Sequence, residues 1–125
     1  MLVKGVGTDL VEVARIKRSI EERGDSMAER ILSEREMEAY RDASKPADFL
    51  AKRFAVKEAV SKALGTGFSH GVTWKDIELD HHDTGQPFAI LHGRAQERLQ
   101  ELGGEGIYVS LSDEAGLVSA FAVMG

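Results

Sequence analysis

Ala47-Asp48-Phe49-Leu50-Ala51-Lys52-Arg53-Phe54-Ala55-Val56-Lys57-Glu58-Ala59-Val60-Ser61-Lys62-Ala63-Leu64, followed by Gly65-Thr66-Gly67, is the longest periodic stretch of the chain. Phe49, Leu50, Phe54, Val56, Ala59, Val60 and Ala63 give it a broad apolar face at helical spacing. Such a face has to be covered, so the stretch predicts a long helix packed against something else. Lys45-Pro46 breaks the chain before it, and Gly65 is placed to end it.

Working outward, the N-terminal side opens on a run from Leu2 to Val11 that alternates apolar residues with glycine and polar ones, which reads as a strand with Asp9 near its end. The period changes at Val13: Val13, Ile16 and Ile20 predict a helix stopped by Gly24. Ser26 to Leu32 predicts a second helix. Ser33-Glu34-Arg35-Glu36 has capping-box spacing and should start a third, to about Arg41. On the C-terminal side, Ile77 and Leu79 suggest a strand and Pro87 to Leu91 another, joined by a turn at Asp83-Thr84-Gly85-Gln86. A helix is expected from Gly93 to Leu102. Strands over Ile107 to Ser112 and Leu117 to Val123 should close the chain as a hairpin around Asp113-Glu114-Ala115-Gly116. Strands at both ends with helices between them predict an α+β fold, an antiparallel sheet packed against the long helix.

The chain has 125 residues, enough for one core, and is expected to be a single domain over residues 1–125. Without cysteine it has no disulfide, thiolate zinc site or cysteine nucleophile. No apolar run approaches the roughly 20 residues that span a bilayer, and Gly7, Thr8 and Asp9 interrupt the place where a signal peptide needs its apolar stretch. The expectation is a cytoplasmic protein that does not enter a membrane. The net charge of -5 argues against nucleic-acid binding.

Chemistry concentrates in two segments. On the long helix Glu58 and Lys62 are four apart and share a face, while Arg53 and Lys57 lie four apart on an adjoining strip. Three cations beside one carboxylate suit phosphate oxygens and a hard divalent ion bridging them. Gly65-Thr66-Gly67 allows close backbone approach to a ligand. Taken alone, Glu58–Lys62 is equally an ordinary helix pair worth about 0.2–0.5 kcal/mol. The segment is not a Walker loop, because GxxxxGK[ST] is absent. The second segment is Gly5-Val6-Gly7-Thr8-Asp9-Leu10-Val11-Glu12. An aspartate in an apolar strand needs a partner, and a helix cap, an arginine or a metal would each serve. His81-His82-Asp83 sits at an expected turn and reads only weakly as a metal cluster. His70 and His92 read as surface residues, and Trp74 as packing.

Together, G-x-D-apolar-x-E near the N-terminus and R-F-A-x-K-E-A-x-x-K-A-x-G-T-G about 45 residues later resemble the holo-[acyl-carrier-protein] synthases. These are small members of the phosphopantetheinyl transferase superfamily. The likeness runs from Gly5 to about Val123 and includes Asp76-Ile77-Glu78, Gly85-x-Pro87 and the closing V-S-L-S. It implies the fold of that superfamily. It also implies transfer of phosphopantetheine from coenzyme A to a serine of apo acyl carrier protein, with adenosine 3',5'-bisphosphate leaving. Asp9 and Glu58 would hold Mg2+ on the pyrophosphate, and Lys62 would touch the phosphates at the reacting end, making Asp9, Glu58 and Lys62 the catalytic set. Arg53, Lys57, Gly65, Thr66 and Gly67 are grouped with them as coenzyme A contacts. Ser110 and Ser112 would line the nucleotide from a neighbouring subunit of a homotrimer. Many relatives carry histidine after that second serine; here it is Asp113, an anion in place of a cation. The serine proton would go to Glu58 or to a water activated at the site. Arg15 and Arg18, three apart on the first helix, would dock an acidic carrier protein. The competing readings are a metal-dependent nucleotide pyrophosphohydrolase and a non-catalytic carrier-binding module.

Overall fold

The computed structural model describes residues 2–125. Its elements run β1 (Gly5–Glu12), α1 (Val13–Arg23), α2 (Ser26–Ile31), α3 (Glu34–Arg41), α4 (Pro46–Ala63), β2 (Ile77–His81), β3 (Pro87–Leu91), α5 (Gly93–Glu101), β4 (Ile107–Glu114) and β5 (Leu117–Met124), with one 3-10 turn at Trp74–Asp76. β1, β5 and β4 form an antiparallel sheet in that order, and β2 and β3 form a separate hairpin. The α+β expectation therefore holds.

The register sorts the three-stranded sheet into two faces. Asp9 pairs with Ala120, and Ala120 with Leu111; Val11 pairs with Val118, and Val118 with Asp113. Because side chains alternate along a strand, these rungs share one face with Gly5, Gly7, Ala122 and Met124. The rungs between them, Thr8–Phe121–Ser110 and Leu10–Ser119–Ser112, share the other.

The inner face is covered by α4. A Cβ on Gly7 would overlap the Ala59 carbonyl oxygen, and one on Gly5 that of Ala63, so β1 lies directly on the helix backbone. At the other end of α4, Lys52 reaches Asp113 on β4 at 3.0 Å. The helix thus crosses the sheet diagonally, from β4 at its start to β1 at its end. Leu50, Ala51, Ala55, Val56, Ala59 and Val60 are fully buried along it. At about 25 cal/mol per Å2 of apolar area, burial of such residues dominates what holds the layers together.

Local signals set most boundaries. The capping box forms: Ser33 Oγ accepts from the Glu36 N–H at 3.3 Å, and Glu36 Oε1 accepts from the Ser33 N–H at 3.1 Å. Pro46 is the first residue of α4 rather than a break outside it; proline suits that position because its missing N–H would have had no helical partner. β4 continues through Asp113 and Glu114, which pair with Val118 and Leu117, so the expected four-residue turn shrinks to Ala115-Gly116. Both turn residues have positive φ, 53° and 77°, as a two-residue hairpin of matching twist requires. Among the described residues no helix is long and apolar enough to cross a membrane.

Candidate active site

Asp9 is the residue after the glycines in the inner row of β1. Where Gly5 and Gly7 let the helix in, Asp9 places a carboxylate beside the last turns of α4. Lys62 Nζ donates to the Thr8 carbonyl at 2.9 Å and lies 3.4 Å from Asp9 Oδ1. The side chain of Asp9 is 16% exposed, and its Oδ2 is buried without a hydrogen-bond partner among the described residues. A buried carboxylate oxygen left unpartnered is costly, and a cation held there would remove the cost.

Glu58, one turn before Lys62, supplies the second carboxylate. Burial first and the Asp9 charge second raise its carboxyl above the ordinary value, against the opposing pull of Lys62. Two carboxylates close enough for one to feel the other's charge, at a half-buried spot, form a donor set for a hard divalent ion. Among the described residues no group of three or more His, Cys, Asp or Glu side chains comes together. That count suits magnesium, which commonly takes one or two carboxylates and fills its other positions with water and phosphate. His81-His82-Asp83 forms no such group; the His82 ring instead stacks on Phe88 at 4.3 Å.

The loop after α4 presents backbone. Gly65 and Gly67 have φ of 78° and 57°, a region that favours glycine. Arg98 on α5 fixes the loop, its Nε donating to the Leu64 carbonyl at 3.0 Å. Gly65, Thr66, His70, Arg94 and Arg98 line a groove of about 190 Å3 there. The α5 arginines carry no sequence signal for this place, because their partners in the loop belong to a distant part of the chain.

Lys57 departs from the expectation. It is fully buried, facing away from Glu58 although adjacent to it in sequence. Its ammonium donates to Glu36 Oε1 at 2.7 Å, to the Trp74 carbonyl at 3.0 Å and to the Ile77 carbonyl. All three protons are spent, so Lys57 is not a coenzyme A contact in this structure but a tie between α4, α3 and the start of β2. Burial lowers its pKa, opposed by Glu36. Arg53 also turns toward that side: its guanidinium lies 3.7 Å above the Phe49 ring, and its buried Nε has no partner among the described residues. Burial lowers the Arg53 pKa, while Glu36 and Asp80 oppose the shift. Trp74 stacks on Phe68 and Phe54, which is the packing role expected of it.

Ser110 and Ser112 are exposed on the outer face of the sheet, opposite the face that carries Asp9. One chain therefore does not bring them to the carboxylate pair. They line a separate cavity of about 240 Å3 at the β4 edge, with Lys52, His81, Pro87 and Asp113. Arg15 and Arg18 do come together, along an exposed groove of α1 that includes Ile16, Arg23 and Met27. The α1 helix begins at Val13, directly after the strand that carries Asp9.

Comparison with known proteins gives a consistent result. The family model described as the 4'-phosphopantetheinyl transferase superfamily matches residues 5–116. A holo-[acyl-carrier-protein] synthase of Hydrogenovibrio crunogenus is 47% identical over 122 residues, covering 98% of this chain and 96% of its own. The crystal structure of the Neisseria meningitidis holo-[acyl-carrier-protein] synthase superposes with a TM-score of 0.91 at 39% identity, covering 99% of each chain. That of Bacillus anthracis, in complex with coenzyme A (3',5'-ADP), has a TM-score of 0.81 at 31% identity, covering 99% and 97%.

Proposed function

The chain belongs to the holo-[acyl-carrier-protein] synthases of the 4'-phosphopantetheinyl transferase superfamily, and we propose that it transfers phosphopantetheine from coenzyme A to a serine of apo acyl carrier protein with Mg2+ held by Asp9 and Glu58. Adenosine 3',5'-bisphosphate is the other product. The observation that carries the reading is the meeting of Asp9, Glu58 and Lys62, with one Asp9 oxygen buried and unpartnered among the described residues. When bound, the magnesium ion polarises phosphoryl oxygens and offsets the charge of the pyrophosphate.

The chain's own groups do the rest. Phosphoryl transfer asks a protein mainly for positioning and charge stabilisation. Lys62, tethered through the Thr8 carbonyl, holds its ammonium where negative charge builds on the transferred group. Glu58, with its carboxyl raised, is poised to take the proton of the attacking serine hydroxyl. Gly65, Thr66 and Gly67 let the donor approach the backbone. Arg15 and Arg18 dock the acidic carrier, and the closeness of α1 to Asp9 brings its serine to the carboxylates.

The nucleotide end is completed by a second copy. Ser110 and Ser112 point away from Asp9 within one chain, so a neighbour's β4 supplies them. Val6, Leu10, Tyr108, Leu117 and Phe121 are exposed on that same outer face, an apolar surface of the kind that marks an interface. A homotrimer with three shared sites satisfies both facts. The protein works as one domain over residues 1–125, in the cytoplasm, where a chain without cysteine is at home.

Mass spectrometry of an apo carrier protein after incubation with coenzyme A and magnesium tests the reading. A phosphopantetheine mass increase, absent with Glu58→Gln although that variant keeps its circular dichroism, is expected. Hydrolysis of coenzyme A without any carrier protein, or full turnover by Glu58→Gln, would overturn it.

A further inference from the structure

The loop over residues 64–72 leaves the end of α4 and carries Gly65, Thr66 and Gly67, the backbone that the proposed transfer reaction sets against coenzyme A. Its shape is costly. Besides its glycines, His70 holds a φ of 57°, a region that disfavours a residue with a side chain. Such a conformation persists only where the surroundings over-determine it. Inside the loop, the Ser69 hydroxyl donates to the Thr66 carbonyl at 2.6 Å, and Phe68 stacks on Trp74.

Further hold comes from α5, at both ends of the loop. Arg98 Nε donates to the Leu64 carbonyl at 3.0 Å, and Arg94 Nε to the His70 carbonyl at 3.0 Å. The stem of Arg94 also lies over Gly71, where a Cβ would come within 3.1 Å of its Cγ. Arg94, Arg98 and Glu101 follow one another at steps of four and three, so they share a face of the helix. Glu101 Oε2 and Oε1 accept from Arg94 Nη1 and Nη2 at 2.7 and 3.1 Å, and Oε1 lies 3.6 Å from Arg98 Nη1. Glu97 adds a looser contact, 3.7 Å from Arg94 Nη1. Exposed ion pairs are usually worth little, and a bidentate arginine–carboxylate pair is the exception.

Two cations beside a groove of about 190 Å3 have the makings of a phosphate site. Glu101 argues against that role. Both Nη atoms of Arg94 already face its carboxylate, which also offsets the local positive charge. What the two arginines are left to hold is the pair of carbonyls.

We propose that Arg94 and Arg98, aligned by Glu101, are positioning residues that keep the backbone of Gly65, Thr66 and Gly67 in the shape that receives coenzyme A, and so set donor affinity without touching the donor. The identity of the donor rests on the transferase reading; the bracing rests on the α5 contacts. Apparent affinity scales with the fraction of molecules that are competent to bind. A loop released at either end spends less time in the receiving shape.

Arg94→Met, Arg98→Met and Glu101→Ala are compared with the unsubstituted protein. Hydrogen exchange at the amides of residues 65–71 reads the loop. Calorimetric titration with coenzyme A and magnesium reads donor affinity, and the transfer assay gives kcat and the KM of each substrate. In all three variants loop exchange quickens and coenzyme A binds about fivefold more weakly, the scale of one hydrogen bond. The KM for coenzyme A follows, while kcat and the carrier KM stay within about twofold. Glu101→Ala is the decisive arm, because the two roles of the arginines give it opposite signs. Arginines that touch a phosphate bind coenzyme A more tightly once the competing carboxylate is gone. Arginines that hold carbonyls lose their alignment, and binding weakens. Tighter or unchanged binding by Glu101→Ala, unchanged loop exchange, or a fall in kcat with both KM values unmoved would each overturn the proposal. If the unsubstituted protein binds coenzyme A but transfers nothing, the transferase reading fails instead, and titration and exchange decide the brace by themselves.

Discussion

Lys57 and Glu58 are neighbours in sequence and opposites in circumstance. Helical arithmetic tells which residues share a face, not which face is buried, and so spacing alone groups Lys57 with the phosphate-binding cations. What decides its place is Glu36, on α3. Its Oε1 accepts from Lys57 and its Oε2 from the Leu79 N–H at 3.0 Å, besides closing the capping box. Lys57→Met leaves Glu36 as a buried charge without its partner and should cost about 3–5 kcal/mol, read from chemical denaturation. Glu78 gives a pH-dependent counterpart. Burial raises its carboxyl, but the Ser33 hydroxyl, His92 and Arg35 outweigh burial and hold it below its ordinary value. A carboxyl lowered in the folded state adds stability that is full above the unfolded value and is lost as pH falls through the folded one. Glu78→Gln should therefore lower the melting temperature at neutral pH, with the two curves converging as the solution is acidified. A gap that stays constant from neutral pH into the acid range would refute the linkage.

Among the elements, the pairing of β1 with α4 is the one that builds the carboxylate site. The helix is legible from its apolar period, and the strand from its alternation. What the alternation does not state is that its glycines lie under a helix. Gly7→Ala pushes a methyl group into the Ala59 carbonyl. Overpacking of this kind costs about 1–3 kcal/mol, and because it lifts β1 from α4 it also separates Asp9 from Glu58. Denaturation midpoints should fall, and the transfer rate should fall further than the fraction of unfolded protein explains. β4 reads short in the sequence for a physical reason. Aspartate and glutamate are poor strand residues, and the turn signal at Ala115-Gly116 spreads over them. Sheet pairing with β5 overrides both, which brings Asp113 into reach of Lys52.

At the level of the whole molecule, the exposed apolar residues are not scattered. Val6, Leu10, Tyr108 and Phe121 fall on the outer face of a single three-stranded sheet. The sequence hides them, because the inner face of the same strands is apolar too and alternation does not say which side faces a partner. In the proposed homotrimer, Phe121→Asp should reduce the mass seen by light scattering from that of three chains to that of one, with transfer lost and circular dichroism unchanged. A variant that remains assembled would count against that face as the interface. The diagonal course of α4 has a further consequence. Along one helix, Lys52 meets β4, Lys57 enters the core, and Glu58 and Lys62 meet β1. Each α-helical residue advances the chain by about 100°. Deleting a single codon between Lys52 and Glu58 would swing every later side chain by that angle and exchange core for surface. Changes of length should thus be tolerated in a connection such as residues 102–106, while α4 should accept substitution but no change of phase.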